Sequence, residues 1–356
     1  MKKFLINHKE IIFIVIVSVI AGVIAKIPAI FSVDEEFFYP RNIGFIVFPG
    51  LAAYFVWKNR LSAFKIISAA TLFLIGAIFI NTRPNIENDT LILSCIHLIL
   101  FMWSILGFAY TGDISNNSKK RMEFLKYTGD LAVMMALIVI SGAILSAITI
   151  SLFSLIGYTI EDFYFQNVAI YGLAAAPVVG TYLIQANPNL VGKISPLIAR
   201  IFSPLVLLML VIFLTAIAFS GKDPYNDREF LLIFNILLIG VMALIFFSLS
   251  DSETTLGGKF RMWTLFLLSI VTVAVNGVAL SAILFRISEW GITANRAAVL
   301  GANLLILVNL ILVLIKLYKV INGKSQQDEV GRVISRYLPV YVLWTAIVTF
   351  LFPYLI

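Results

Sequence analysis

The stretch Ile201–Ser220 reads IFSPLVLLMLVIFLTAIAFS and decides the class of the fold. It carries no charged residue and is apolar on every face of a helix. A bilayer core of about 30 Å is crossed by roughly 20 apolar residues in an α-helix, which is the length of this stretch. Membrane-spanning strands show segments of about ten residues with alternating polarity instead. The stretch therefore predicts a transmembrane helix.

The composition extends this prediction to the whole chain. Of its 356 residues 61% are hydrophobic and only 13% are charged, and the mean hydropathy is +1.00. Soluble domains carry about 25% charged residues, and a chain this apolar cannot cover itself with polar surface in water. No predicted loop is long enough for a soluble domain. We therefore expect an all-α protein with a single integral membrane domain over residues 1–356.

Apolar blocks separated by short polar loops predict a polytopic transmembrane helical bundle of about eleven spans, with ten to twelve as the range. The block 43–57 is the weakest, because it is short and contains Pro49 and Gly50, so a re-entrant or half-length helix is the alternative there. The predicted spans are 11–30, 43–57, 62–80, 91–110, 130–156, 167–184, 199–220, 230–250, 262–284, 296–317 and 338–355.

The distribution of positive charge predicts the orientation. With eleven crossings and a cytoplasmic N-terminus, most of the 26 lysines and arginines fall on the inner side. If the block 43–57 did not cross, that bias would be reversed. The first apolar block follows Lys2 and Lys3, and the alternative to a retained span there is a cleaved signal peptide. Because topology explains the net charge of +7, we expect no nucleic-acid partner.

Catalytic and metal-binding motifs are missing from the sequence. Cys95 is the only cysteine, which excludes a disulfide framework and a cysteine metal site. The chain contains neither an HExxH nor a GxSxG motif, and no pair of acidic residues lies within the predicted spans. We therefore expect no enzymatic activity and no cofactor.

Lys26 is the only lysine or arginine well inside a predicted span, and His97 lies in the middle of another. Lys26 is expected either to extend to the lipid headgroups or to pair with Asp34, Glu35 or Glu36, and the alternative is a cation that faces a polar cavity between helices. His97 is expected to make a hydrogen bond between helices, with a role in proton relay as the alternative.

Three asparagines, Asn276, Asn303 and Asn309, come from two consecutive predicted helices. Buried amides commonly join transmembrane helices by hydrogen bonds. The alternative is that these three amides line one cavity and coordinate a neutral or cationic solute.

The string Tyr-Thr-Gly-Asp occurs twice, at Tyr110–Asp113 and Tyr127–Asp130. It indicates a glycine that ends one helix and an aspartate that starts the next.

The segment Arg286–Arg296 reads RISEWGITANR and predicts a tight turn between two helices at the outer membrane surface. Gly291 can end the first helix in a left-handed conformation, and Thr293 can cap the second. Two outer arginines oppose the general charge bias, so the alternative to a structural turn is contact with a phosphate headgroup or an anionic ligand. The candidate contact residues are Arg286, Glu289, Trp290, Gly291, Thr293, Asn295 and Arg296.

This segment resembles a motif, Arg-Ile-x-Glu-Tyr/Trp-Gly-Leu-Thr-Pro-Asn-Arg, of an uncharacterised family of bacterial multipass membrane proteins, domain of unknown function 4153. Ile292 stands for the leucine of the motif and Ala294 for its proline. The stretch from Ile201 to Leu208 is similar to a second, weaker motif, and the resemblance covers roughly residues 195–320. It implies a multi-pass protein of the bacterial cytoplasmic (inner) membrane and no established activity.

The leading functional hypothesis is a permease-like protein that binds or moves a small solute or a membrane lipid. The alternative is a non-catalytic scaffold or partner-binding subunit of an envelope complex, which would pack against another membrane protein through faces of small residues. Two such faces are predicted, formed by Ala21, Ala25 and Ala29 and by Gly172, Ala176 and Gly180.

Overall fold

The computed structural model describes residues 8–85, 88–112, 118–155, 159–186, 194–219, 225, 228–249 and 258–355. All regular secondary structure in these ranges is helical, and they contain no β-strand. The helices are α1 (His8–Ala25), α2 (Ile27–Phe31), α3 (Glu35–Asn59), α4 (Ala63–Asn81), α5 (Asp89–Thr111), α6 (Ser118–Leu155), α7 (Glu161–Phe163), α8 (Ile170–Ala186), α9 (Ile194–Phe219), α10 (Arg228–Leu249), α11 (Gly258–Trp290), α12 (Ala294–Ile321), α13 (Asp328–Phe350) and α14 (Phe352–Leu355). A π-helical segment, Tyr164–Ala169, joins α7 to α8.

Within the described ranges, 8 helical stretches are long and apolar enough to cross a membrane. Two further apolar stretches, Ile201–Ile212 and Phe234–Leu249, are shorter. This composition is that of a multipass membrane protein, as predicted. The long stretches are His8–Ala25, Ala63–Asn81, Asp89–Thr111, Ser118–Ala147, Glu161–Ala186, Lys259–Trp290, Ala294–Ile321 and Asp328–Phe350.

Helix α4 has a mostly apolar and exposed surface. Only Ala69, Gly76 and Ile80 are buried along its length. Large apolar side chains such as Phe64 and Ile67 are exposed on the rest of its surface. A continuous apolar surface of this kind marks contact with lipid or with another protein.

The block 43–57 is not a half-length helix. It lies inside α3, which has 25 residues and is therefore about 37 Å long at 1.5 Å per residue. The helix begins where the Asp34 carboxylate accepts a hydrogen bond from the Glu36 amide at 3.0 Å, and it ends at Arg60 in a left-handed conformation. The sequence underestimated its length because polar residues precede the apolar block.

The two Tyr-Thr-Gly-Asp strings have different environments. Gly112 follows the end of α5 with a φ of +68°, as a glycine stop requires. Asp113 lies outside the described residues. The prediction that Asp130 starts a helix is wrong, because α6 begins at Ser118 and Asp130 is buried well inside it.

The chain divides into two compact units. Unit 1 consists of residues 1–86, 98–115 and 127–191, and unit 2 consists of residues 87–97, 116–126 and 192–356. A single integral membrane domain over 1–356 stays a prediction.

Small residues bring the helices of unit 1 close together. Ala21 and Ala25 of α1 share an apolar cluster with Phe38 and Ala174. A side chain larger than that of glycine at position 22 would overlap the ring of Tyr171. The predicted face of α1 is therefore used for packing at Ala21 and Ala25.

The core of unit 2 is formed by α9 to α13. Leucines without exposed surface, among them Leu210, Leu238, Leu265 and Leu310, form one apolar cluster. Polar side chains on α11 and α12 lie equally deep in this unit, and they form the candidate site.

Candidate functional site

The Arg286–Arg296 segment forms the tight turn that the sequence predicts. Helix α11 ends at Trp290, and Gly291 follows with a φ of +76°. The Gly291 amide donates to the carbonyl oxygen of Ile287 at 2.9 Å. Helix α12 begins where the Thr293 hydroxyl accepts from the Arg296 amide at 3.3 Å. Both predicted helix ends are confirmed.

Arg296 stabilises this turn from the side of α12. Its Nη1 donates to the carbonyl oxygens of Trp290 at 2.8 Å and Gly291 at 2.7 Å. The guanidinium carbon lies 5.6 Å from the centroid of the Trp290 ring. A cation at the carbonyl end of a helix is favoured by the helix dipole. These contacts support the structural interpretation of Arg296.

Arg286 is buried on α11, one turn before Trp290. Its Nε donates to the carbonyl oxygen of Tyr225 at 2.7 Å, and its guanidinium carbon lies 5.9 Å from the Trp290 ring centroid. The two arginines thus approach the same indole ring. Glu289 is exposed and Asn295 is half-buried in the same segment.

The three asparagines have no exposed surface. Asn276 on α11 donates through Nδ2 to the backbone carbonyl of Asn303 on α12 at 3.2 Å. Asn309, further along α12, donates through Nδ2 to the Tyr341 hydroxyl on α13 at 3.1 Å. The structure therefore joins Asn276 to the backbone at Asn303, and places Asn309 against a third helix.

Four amide atoms of these asparagines have no hydrogen-bond partner among the residues that the structure describes. They are Oδ1 of Asn276, Oδ1 and Nδ2 of Asn303, and Oδ1 of Asn309. Buried polar groups in proteins are usually paired, and each one left unpaired costs about 1–3 kcal/mol. The site can therefore offer both donors and acceptors to a polar molecule.

Two hydroxyl residues that the sequence analysis missed share a face of α11 with Asn276. Ser269 and Thr272 are fully buried, and they donate to the carbonyl oxygens of Leu265 at 2.8 Å and Leu268 at 2.6 Å within their own helix. The spacing of 269, 272 and 276 places the three side chains on one helical face. That spacing was the signal available in the sequence.

Lys26 contacts polar groups rather than acids. Its Nζ donates to the backbone oxygen of Gln166 at 2.8 Å and to Oδ1 of Asn167 at 3.2 Å, both in the π-helical segment. Within the ranges described by the structure Lys26 makes no ion pair, so the expected pairing with Asp34, Glu35 or Glu36 does not form. The side chain joins the end of α1 to another helix of unit 1.

The hydrogen bond of His97 lies within its own helix. Its Nδ1 is 2.9 Å from the carbonyl oxygen of Leu93, one turn earlier on α5. The sequence predicted a bond to another helix. A ring nitrogen can reach the backbone oxygen one turn earlier in its own helix, and the hydrophobic periodicity of the sequence does not reveal this partner.

Among the described residues, no group of three or more His, Cys, Asp or Glu side chains is placed to hold a metal ion. The absence of a cofactor and of enzymatic activity stays a prediction.

Comparison of the chain with family models, with curated proteins and with solved structures gives no match in any of the three. The family resemblance of residues 195–320 therefore depends on its motif alone and stays a prediction.

Proposed function

We propose that this chain is a permease-like protein of a bacterial inner membrane that binds a small, neutral, polar solute at Asn276, Asn303 and Asn309. The observation that carries the proposal is the set of four buried amide atoms that have no partner within the described part of the chain. A solute with hydroxyl, amide or similar groups, or the water that precedes it, would satisfy both the donors and the acceptors.

The chemistry of the neighbours favours a neutral solute over an ion. The Tyr341 hydroxyl contacts Asn309. The hydroxyls of Ser269 and Thr272 lie on the same face of α11 as Asn276. None of these groups carries a charge at neutral pH. A charged solute in such an environment would pay a large desolvation cost, whereas a neutral one would not.

The topology proposed for this permease has eleven crossings with the N-terminus in the cytoplasm. Each of the eleven predicted spans falls on one or two of the described helices. The excess of lysine and arginine in the predicted inner loops supports this orientation.

The competing scaffold hypothesis relied on free faces of small residues. Ala21 and Ala25 are buried inside unit 1, as are Ala176 and Gly180 of α8. Ala29 and Gly172 are exposed, and Gly172 has open space beside it. Because most of these residues already pack within the unit, they give the scaffold hypothesis less support than the sequence suggested.

Cysteine labelling tests whether water reaches the asparagines. Cys95 is the only cysteine, so Cys95→Ala gives a background without thiols. In that background, Asn303→Cys in proteoliposomes should react with a small, charged thiosulfonate reagent. The matched control is Leu310→Cys, because Leu310 is on the same helix and is equally buried in the apolar core. Equal reaction rates at both positions would refute the proposal.

A solute assay tests the movement itself. Proteoliposomes that contain the protein should swell faster in iso-osmotic glycerol or urea than protein-free liposomes do. Asn303→Leu should remove this increase, whereas Leu304→Val, at an exposed position on the same helix, should retain it. A swelling rate that is the same for the wild type and for Asn303→Leu would contradict the assignment of the solute site.

A further inference from the structure

Helices α3 and α4 of unit 1 are joined by a reciprocal pair of amides. Nδ2 of Asn42 donates to Oδ1 of Asn81 at 2.9 Å, and Nδ2 of Asn81 donates to Oδ1 of Asn42 at the same distance. Asn42 also donates to the carbonyl oxygen of Phe38 at 3.1 Å. This pair fixes the end of α4 against α3.

Arg41, next to this pair, is a buried cation that has no acidic partner among the residues described by the structure. Its side chain is only 4% exposed. Nη1 donates to the carbonyl oxygen of Phe37 at 3.1 Å, and Nη2 donates to Oδ1 of Asn85 at 3.2 Å. The guanidinium carbon lies 4.0 Å from the centroid of the Phe37 ring. Nε is buried and has no hydrogen-bond partner, and Arg41 makes no ion pair with any residue in the described ranges.

The charge of the buried Arg41 guanidinium is only partly compensated by the contacts that the structure shows. A buried charge is costly unless it is paired and hydrogen-bonded, and two neutral oxygens compensate a guanidinium only in part. Arginine has five N–H donors in a planar fork. Two contacts of Arg41 leave the Nε group and further N–H bonds available. Such a fork is suited to two parallel bonds with a planar or tetrahedral oxyanion.

A second arginine lies in the short segment that Arg41 contacts. Arg83 is between Asn81 and Asn85, and both of these asparagines hydrogen-bond to neighbouring residues of α3. Its guanidinium carbon lies 4.5 Å from the centroid of the Phe79 ring. The two amide contacts thus hold the segment 82–85 against the end of α3 that carries Arg41.

We propose that Arg41, positioned by its contact with Asn85 and by the neighbouring Asn42–Asn81 pair, binds a phosphate-type oxyanion. The phosphate can belong to a membrane phospholipid or to a free anion, since both present the same oxygen atoms to the guanidinium. This site is independent of the asparagine site proposed above, and it uses different chemistry.

The first experiment measures anion binding by the purified full-length protein in detergent. Inorganic phosphate and glycerol phosphate are titrated at constant ionic strength, and the thermal unfolding midpoint and the heat of binding are recorded. Binding to the folded state should raise the midpoint in a saturable way. Arg41→Gln should weaken binding at least about tenfold, because it removes charge-assisted hydrogen bonds.

The matched control is Arg60→Gln, which removes an exposed arginine at the other end of the same helix. This variant should bind phosphate as the wild type does. Equal loss of binding in Arg41→Gln and Arg60→Gln, or no saturable binding in any of the assays, would overturn the proposal.

The source of the phosphate is distinguished in lipid nanodiscs. Binding of both soluble probes identifies a site that is open to free anions. Retention of phosphatidylglycerol through native mass spectrometry, without binding of the soluble probes, identifies a lipid site. In either case the binding must be lost in Arg41→Gln and retained in Arg60→Gln, and any other pattern contradicts the site.

A second variant keeps the proposal testable if Arg41→Gln does not fold. Asn85→Asp puts a carboxylate in place of the amide oxygen that lies 3.2 Å from Nη2 of Arg41. The internal carboxylate should pair with Arg41, retain the fold and weaken phosphate binding at least about tenfold by competition and repulsion. Wild-type affinity for phosphate in Asn85→Asp would contradict the proposal.

Discussion

Two sets of asparagines differ in whether their amides are paired, and Asn81 is the one exposed residue among them. Asn42 and Asn81 of unit 1 donate to and accept from each other. Asn276 and Asn303 of unit 2 share a single bond, from a side chain to a backbone oxygen, and three of their side-chain polar atoms remain unpaired. The same residue type within an apolar helix can therefore join two helices or present its amide to another molecule, and the number of partners distinguishes the two roles.

Removing an amide should change the stability of the protein in opposite directions in the two sets. Removing either member of the paired set breaks two hydrogen bonds, and removing Asn81 also takes this partner from the buried amide of Asn42. Removing an amide that has no partner takes away a desolvation cost instead. The variants below test whether the amides of the first set are paired and those of the second set are not.

The largest expected effect is at Gly301, two residues before Asn303. Gly301→Ala should lower the free energy of unfolding by about 1–3 kcal/mol, because the added methyl group would overlap the indole ring of Trp344 on α13. The measurement is unfolding in mixed micelles of detergent and denaturant. Gly277→Ala is the control, because the space beside Gly277 is open and alanine has the higher helix propensity.

A small loss of stability in Gly301→Ala would count against the unpaired state of the amides on α12. It would mean that α12 can shift against α13, so that the amides of Asn303 and Asn309 could find partners by moving. A loss as large in Gly277→Ala would show that the effect does not come from the contact with Trp344.

The next effect concerns the paired set. Asn42→Ala should cost about 1–2 kcal/mol of unfolding free energy, because it removes both bonds to Asn81. Asn303→Leu should leave the stability equal or higher, since its side-chain polar atoms have no partner to lose. The same unfolding assay measures both variants.

A double-mutant cycle sharpens this prediction. Asn42→Ala combined with Asn81→Ala should cost little more than Asn42→Ala alone, because both changes break the same pair. Additive losses in the double mutant, or a marked loss in Asn303→Leu, would refute the assignment of the two sets.

The smallest expected effect is that of Tyr341→Phe, which removes the hydroxyl that Asn309 contacts. In a site reached by water, another donor or acceptor replaces the hydroxyl, so the loss should stay below about 0.5 kcal/mol. A dry site would lose about 1 kcal/mol or more. Thermal unfolding of the variant, measured beside Tyr337→Phe as a less buried control, decides between them.

Features that depend on neighbouring residues in the chain were predictable. The ends of α11 and α12 at Gly291 and Thr293 follow from local backbone geometry, and the structure confirms both. The carbonyl partners of Arg296 in the same turn were not predicted, although they lie within six residues. A long side chain has many local acceptors within reach, and the packing of Trp290 selects among them.

Features that depend on distant residues were predicted poorly. The partners of Lys26 are about 140 residues away in the chain, and they are a backbone oxygen and an amide rather than the nearby acids. The candidate anion site at Arg41 was not predicted at all, because its contact with Asn85, 44 residues away in the chain, brings together α3 and the segment after α4. This contact has no periodic signal in the sequence.

The amino-acid sequence by itself determined that this is an all-helical, multipass membrane protein, because hydrophobic length and the exclusion of unpaired backbone groups from lipid leave little choice. It also determined the turn at Gly291 and Thr293. Only the tertiary structure decided which amides are paired, at Asn42 and Asn81, and which buried amide atoms have no partner among the described residues, at Asn276 and Asn303. The physical reason is that burial costs a polar group the same in every helix, whereas its partner comes from wherever the fold places the next helix.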